Sequence, residues 1–145
     1  MVAQDSTYRI LYRDVDKMGV LYYSRYLDLF EMGRTEWARS QGFSYRDMEE
    51  VLGLMLPVTE ASCRYRAGLR FDEIAVVRTT IAAWTKTTVR YAFEVFEQDS
   101  ERLCATGEVE LACLVLNTEK PHVLPPAFLE IMEQVAPEKR GRSRS

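Results

Sequence analysis

One long helical periodicity, set among strand patterns, constrains this chain more than any other feature. From Ser24 the run SRYLDLFEMGRTEWARSQG places Tyr26, Leu27, Phe30, Gly33, Trp37 and Ala38 at helical spacings. Ser24 suits an N-cap and Gly42 a stop, so the spacing predicts a helix of about five turns. Gly33 interrupts the apolar stripe, where glycine costs up to ~1 kcal/mol relative to alanine, and predicts the close approach of another backbone. A helix with one apolar stripe must lay it on a partner surface, and the rest of the sequence offers strands.

The segment Tyr8–Arg13 has the aromatic and β-branched content of a short strand, and Asp14–Gly19 breaks it with turn formers. Ser44-Tyr-Arg-Asp47 resembles a capping box opening a short second helix that ends at Gly53. Leu54–Arg66 contains Pro57, which suits an edge or bulged strand. Ile74–Trp84 and Thr88–Phe96 flank Thr85-Lys86-Thr87 as a hairpin without the usual Asn-Gly. Arg102–Leu116 then sets Leu103, Ala105, Gly107, Val109, Leu111, Cys113 and Val115 against Thr106, Glu108 and Glu110 on the opposite face. A last helix is expected from Pro126 to about Val135. The expectation is an α+β fold with five or so antiparallel strands, one domain over residues 1–136, and a disordered basic tail over 137–145.

With 145 residues, 47% apolar and 28% charged, the chain has material for one self-sufficient core, which excludes a disordered or fibrous protein. The net charge of −3 includes a basic C-terminal end, so the body is more acidic still and does not favour a nucleic-acid partner. No uncharged stretch approaches the roughly 20 residues that span a bilayer. Neither an integral membrane association nor a leader is expected, and the expected location is cytoplasmic. Cys63, Cys104 and Cys113 form no CxxC pair and read as thiols in a reducing compartment. His122, between Pro121 and Val123 in an apparent turn, is the one histidine and would have to serve any Ser-His-Asp, Cys-His or His-ligated metal site alone, so no metal site and no cofactor are expected.

Chemistry concentrates between the first strand and the long helix, in Asp14-Val-Asp16-Lys-Met-Gly19-Val-Leu-Tyr22-Tyr23-Ser24. A loop carboxylate here can meet a reacting carbonyl, while the helix N-terminus presents free N–H groups and partial positive charge to a developing oxyanion. That pairing suits acyl transfer. Gly19 allows the backbone to turn closely or to touch a ligand. The plainer alternative is an acidic turn that merely caps a helix, and residue types alone leave both open.

The run Tyr12-Arg-Asp14-Val-Asp16-Lys-Met-Gly19-Val-Leu-Tyr22-Tyr-Ser-Arg-Tyr26, continued by Phe30-Glu-Met-Gly-Arg34-Thr-Glu-Trp37, resembles the signature of the 4-hydroxybenzoyl-CoA thioesterase family of hotdog-fold proteins. It resembles the branch containing the acyl-CoA thioesterases associated with the Tol-Pal cluster. Leu56-Pro-Val-Thr59, Tyr65-Arg-Ala and Phe71-Asp72-Glu73 extend the likeness along the chain. The resemblance implies a curved antiparallel sheet wrapped around one long central helix, a homodimer that forms dimers of dimers, and hydrolysis of acyl-CoA, with coenzyme A entering only as part of the substrate. It also implies that Asp16 is the catalytic carboxylate, as nucleophile or as general base, and that the backbone N–H of Tyr23 polarises the thioester carbonyl. Many members of the family carry histidine at that position and the aromatic-acyl branch carries tyrosine, so the resemblance keeps the backbone donor but puts a histidine side-chain role in doubt.

Gly19 and Tyr22 are the accompanying substrate-binding candidates, with Tyr12 and Tyr22 either lining an acyl pocket or belonging to the core. Asp14 reads as a loop-fixing carboxylate, and Glu31 as either a rival helix acid or the ion-pair partner of Arg34. Arg64, Arg66, Arg70, Lys86 and Arg90 are all available for coenzyme A phosphates, with nothing to rank them. The alternatives to an enzyme are a non-catalytic acyl-CoA or acyl-carrier-protein binding hotdog and a structural partner in an envelope complex; a hydratase would want a histidine beside its aspartate.

Overall fold

The computed structural model describes residues 2–141. Strand β1 (Gln4–Arg9) leads to helix α1 (Arg25–Ser40) and to a short α2 (Tyr45–Asp47) that widens into a π-turn at Met48–Leu52. Strands β2 (Leu54–Met55), β3 (Val58–Tyr65), β4 (Ile74–Trp84), β5 (Thr88–Glu97), β6 (Leu103–Ala112) and β7 (Leu114–Val115) follow, and helix α3 (Pro126–Val135) comes after them. Five strands form one antiparallel sheet in the order β1-β4-β5-β6-β3, while β2 and β7 make a separate ribbon. The sheet curves around α1 in an α+β hotdog arrangement.

Alternation builds the inner face of that sheet. Ala75, Val77, Thr79 and Ile81 of β4 and Val89, Tyr91, Phe93 and Val95 of β5 are all buried, with their neighbours in sequence turned outward. Onto this face α1 lowers Tyr26, Leu29, Phe30, Gly33, Trp37 and Ala38. Phe30 stacks on Phe93 with centroids 4.5 Å apart, and Trp37 meets Tyr91 edge-on at 5.8 Å. Two glycines make the contact possible. A Cβ on Gly107 would lie 2.5 Å from Phe30 Cε2, and one on Gly33 would lie 2.5 Å from Thr79 Oγ1 and 2.9 Å from Val77 Cγ1. The close approach expected at Gly33 is therefore real, but β4 side chains make it rather than a backbone.

Local chemistry shifts several expected boundaries. The first strand ends at Arg9, and Tyr12–Asp14 form a 3-10 turn in place of its second half. The Asp14 carboxylate, which accepts from the Leu11 N–H at 2.8 Å, holds that turn. Ser24 makes no side-chain cap bond and already has helical angles, whereas Ser44 does cap, accepting from the Asp47 N–H at 3.2 Å. Pro57 divides the expected Leu54–Arg66 strand into β2 and β3. In the β4–β5 hairpin the missing Asn-Gly is replaced by Thr85, whose Oγ1 accepts from the N–H groups of Thr87 and Thr88. A register shift between Val95 and Phe96 leaves Cys104 as an extra residue on β6, so Cys104 and Ala105 are both buried and Leu103 is displaced from the inner row.

Part of the segment expected to be disordered is folded. Pro137–Lys139 form a 3-10 turn, the Gly141 N–H donates to the Trp84 carbonyl, and the Arg140 guanidinium sits 5.3 Å from the centroid of the Trp84 ring. Trp84 recruits this end of the chain because its indole N–H also donates to the Ala136 carbonyl, at 2.8 Å. Residues 142–145 of the expected tail lie outside the described residues.

Gly33→Ala should lower stability by about 1–3 kcal/mol, as overpacking does, although alanine is the better helix former by about 1 kcal/mol. Chemical denaturation of the two proteins decides it, and an unchanged or raised midpoint would contradict the packing described.

Candidate active site

The loop joining β1 to α1 is fastened at both ends. Asp14 is buried, and its Oδ2 accepts from the Tyr8 hydroxyl at 2.7 Å and from the Leu11 N–H, while Oδ1 lies 3.9 Å from Arg25 Nε. Burial and the bond to Asp14 together push the Tyr8 phenol above its ordinary value, so it remains the proton donor. The Asp14 carbonyl accepts from the Tyr22 N–H at 2.9 Å. One residue thus ties the end of β1 to the start of the helix.

Asp16 stands at the head of the turn that follows. Its Oδ1 accepts from the Met18 N–H at 2.8 Å, its N–H donates to the Val20 carbonyl, and its carbonyl accepts from the Gly19 N–H. Gly19 closes the turn at φ 80°, a left-handed conformation that glycine adopts without strain. Leu21 then bonds back to the Leu69 carbonyl, which clamps the loop to the segment after β3. The half-buried Asp16 keeps Oδ2 without a protein partner among the described residues.

Asp16 and Tyr23 line the same cleft, of about 320 Å³, with Leu21, Tyr26, Tyr65 and Arg66 among its walls. The Tyr23 carbonyl accepts from the Tyr65 hydroxyl at 3.1 Å and from the Tyr26 N–H at 3.4 Å. Among the described residues the Tyr23 N–H has no acceptor. Tyr26 packs edge-on against Tyr65 at 5.2 Å and forms the floor, where burial raises its phenol. Tyr65, to which the sequence gave no site role, and Arg66, one of the five cations considered for coenzyme A phosphates, belong here because β3 ends beside the helix N-terminus. Tyr65 belonged to a matched motif, and that was the available signal.

Other expected residues lie apart from this cleft. Gly19 shapes the Asp16 turn but does not line the cleft, and Tyr22 lies outside it with its ring tilted 45° to that of Tyr23, centroids 4.6 Å apart. Tyr12 is exposed against Phe71. Glu31 is exposed, 3.9 Å from Arg34, in a separate groove with Leu27, Val58 and Val109. His122 is exposed, and its Nδ1 faces the carbonyl of its own neighbour Val123 at 2.6 Å. Burial pushes the Cys113 thiol up to about 11 and raises those of Cys63 and Cys104, which disfavours the nucleophilic thiolate. No group of three or more His, Cys, Asp or Glu among the described residues has a metal-binding arrangement. No helix among them is long and apolar enough to cross a membrane.

Residues 10–132 match the family model of the thioesterase-like superfamily. The acyl-CoA thioesterase YbgC of Haemophilus influenzae is 30% identical over 120 residues, spanning 81% of this chain and 85% of that one. A 1,4-dihydroxy-2-naphthoyl-CoA hydrolase of Synechocystis is 24% identical over 112 residues, covering 77% and 81%. Among solved structures, the DHNA-CoA thioesterase of Staphylococcus aureus superposes with a TM-score of 0.81 at 29% identity, covering 95% of this chain and 86% of that one. These similarities extend over several thioesterase groups rather than one branch. With its hotdog sheet and a family match over most of its length, the chain belongs to the thioesterase-like superfamily.

Proposed function

We propose that this protein hydrolyses acyl-CoA thioesters at the cleft shared by Asp16 and Tyr23. The observation that carries the proposal is that Asp16 and Tyr23 line one cleft of a thioesterase-superfamily chain, and that among the described residues Asp16 Oδ2 has no protein partner and the Tyr23 N–H no acceptor. In the hydrolysis the thioester oxygen faces the Tyr23 N–H, where the positive end of α1 adds to the stabilisation of the oxyanion. Asp16 either attacks the carbonyl carbon, giving a mixed anhydride that water then cleaves, or takes a proton from the attacking water. Loss of the thiolate needs little acid assistance, because a thiol pKa of ~8.5 makes it a good leaving group.

Membership of the Tol-Pal-associated branch is part of the same proposal, supported by the Asp16-x-x-Gly19 turn and the Glu31–Trp37 continuation. A cytoplasmic location agrees with three free cysteines. A homodimer, pairing further into a tetramer, is supported by edge strand β3, nearly all of whose residues are exposed. Its Val58 shares an open groove with Leu27 of α1, both exposed apolar side chains that a second copy would cover. A binding protein without turnover keeps the same cleft, and catalysis by Asp16 is what separates the two readings.

Asp16→Asn should lower kcat more than about tenfold, the equivalent of ~1.4 kcal/mol, with the melting temperature unchanged. Free-thiol release from a panel of aliphatic and aromatic acyl-CoA substrates measures it. Tyr23→Phe should leave kcat within about threefold if the backbone carries the role; a loss of ten- to a hundredfold, roughly 1.5–3 kcal/mol, would transfer the role to the phenol. Sedimentation at micromolar concentration should return a dimer or larger, and a stable monomer would remove the proposed assembly.

A further inference from the structure

Helix α1 starts without the usual device for steadying a helix end, because Ser24 makes no side-chain cap bond. Its first turn is held by short-range backbone bonds instead. The Arg25 N–H donates to the Tyr22 carbonyl at 2.9 Å, the Tyr26 N–H to the Tyr23 carbonyl at 3.4 Å, and the Leu27 N–H to the Ser24 carbonyl at 3.2 Å. The middle bond is long for N–H···O, where distances centre on about 2.9–3.0 Å. Backbone bonds alone therefore hold the Tyr23 carbonyl loosely, and Tyr23 is the residue whose N–H has no acceptor among the described residues.

Strand β3 supplies a second hold. From the end of that strand the Tyr65 hydroxyl donates to the Tyr23 carbonyl at 3.1 Å. The Tyr65 ring is itself braced edge-on against the buried Tyr26, and its backbone is registered opposite Ala105 of β6. Partial burial raises the phenol above its ordinary value, so the hydroxyl keeps the proton it donates. Two peptide groups meet at the Tyr23 Cα. The one that carries the Tyr23 N–H also contains the Tyr22 carbonyl, which Arg25 ties; the next contains the Tyr23 carbonyl, which Tyr65 ties. Both backbone angles of Tyr23 are thus constrained, and one of the two ties is a side chain from another element.

We infer that Tyr65 is a positioning residue for the oxyanion donor, tying the start of α1 to β3 so that the Tyr23 N–H is held in place before the thioester arrives. The inference rests on the acyl-CoA reading above and gives Tyr65 no contact with the reacting atoms. A donor fixed in advance needs no reorganisation as charge develops on the oxygen, and misplacing a reacting group by about 1 Å costs up to about 10²-fold in rate. A wall residue would use only the ring of Tyr65, whereas positioning uses its hydroxyl.

Tyr65→Phe in the full chain keeps the ring against Tyr26 and removes only the hydroxyl. For an acyl-CoA, kcat and kcat/KM should fall together by about tenfold, with KM within about twofold and little change in melting temperature, as expected for an interaction that matters in the transition state. A second measurement follows the carbonyl stretch of a bound ketone analogue of acyl-CoA, with methylene in place of the sulfur. Wild type should move that stretch to lower frequency than in solution, and Tyr65→Phe should give back part of the shift. Tyr12→Phe, which removes a hydroxyl from an exposed tyrosine outside the cleft, should match wild type in both. A kcat within about twofold of wild type in Tyr65→Phe, or an unchanged carbonyl stretch, would overturn the positioning role; if hydrolysis still depends on Asp16, the thioesterase reading stands. Wild-type protein that hydrolyses no acyl-CoA removes the thioesterase reading, while a carbonyl shift that weakens in Tyr65→Phe still supports the hold on the Tyr23 N–H.

Discussion

The seating of α1 on the sheet is the contact from which the rest of the structure follows. Phe30 lies flat on Phe93 because β6 offers Gly107 beneath its ring and α1 offers Gly33 beside Thr79 and Val77. The two missing side chains let helix and sheet approach until an aromatic stack closes the interface. Burying aromatics of this size stabilises by roughly 1.5–3 kcal/mol each, and the stack adds about 0.5–1.5 kcal/mol. The contact also fixes the helix axis, and with it the point at which the N-terminus meets the loop. Function inherits its geometry from this packing.

Asp14 transmits that position to the site. A buried carboxylate is costly unless it is hydrogen-bonded and compensated by charge. Here the Tyr8 hydroxyl, the Leu11 N–H and nearby Arg25 supply both, from β1, the 3-10 turn and α1 respectively. Asp14 and Asp16 therefore divide the work of an acidic loop. The first is buried and fully used in holding the structure, and the second is half-buried with an oxygen to spare. Two residues apart, the pair meets different environments because Asp14 ends the 3-10 turn of Tyr12–Asp14 whereas Asp16 opens the turn that Gly19 closes.

Charge on the outer surface ties down the edges of the sheet. Arg78 of β4 pairs with Asp5 of edge strand β1, and Arg90 of β5 reaches Glu60 of edge strand β3 together with Glu108 and Glu110 of β6. The bond to Glu60 is the main cause that raises the Arg90 guanidinium above its ordinary value. Exposed pairs contribute little singly, but a network that spans three strands helps to fix register. Arg66 and Arg70 differ in having no carboxylate within ion-pairing distance among the described residues.

The alternation in β4, β5 and β6, the apolar stripe of α1 and the Pro126 start of α3 were legible in the sequence because each is a local periodicity with one dominant solution. The Asp16-Gly19 motif was legible because its turn depends on residues three apart. Pairing across distance was not legible. The bulge at Cys104 depends on how β6 registers with β5, the folding of residues 137–141 depends on Trp84 at the end of β4, and Tyr65 reaches the Tyr23 carbonyl across forty-two residues. The sequence by itself determined an α+β chain with one central helix and an acidic loop before it. Only the tertiary structure decided which arginines remain free, since an ion pair forms wherever folding brings opposite charges within a few ångströms, and no spacing along the chain encodes that distance.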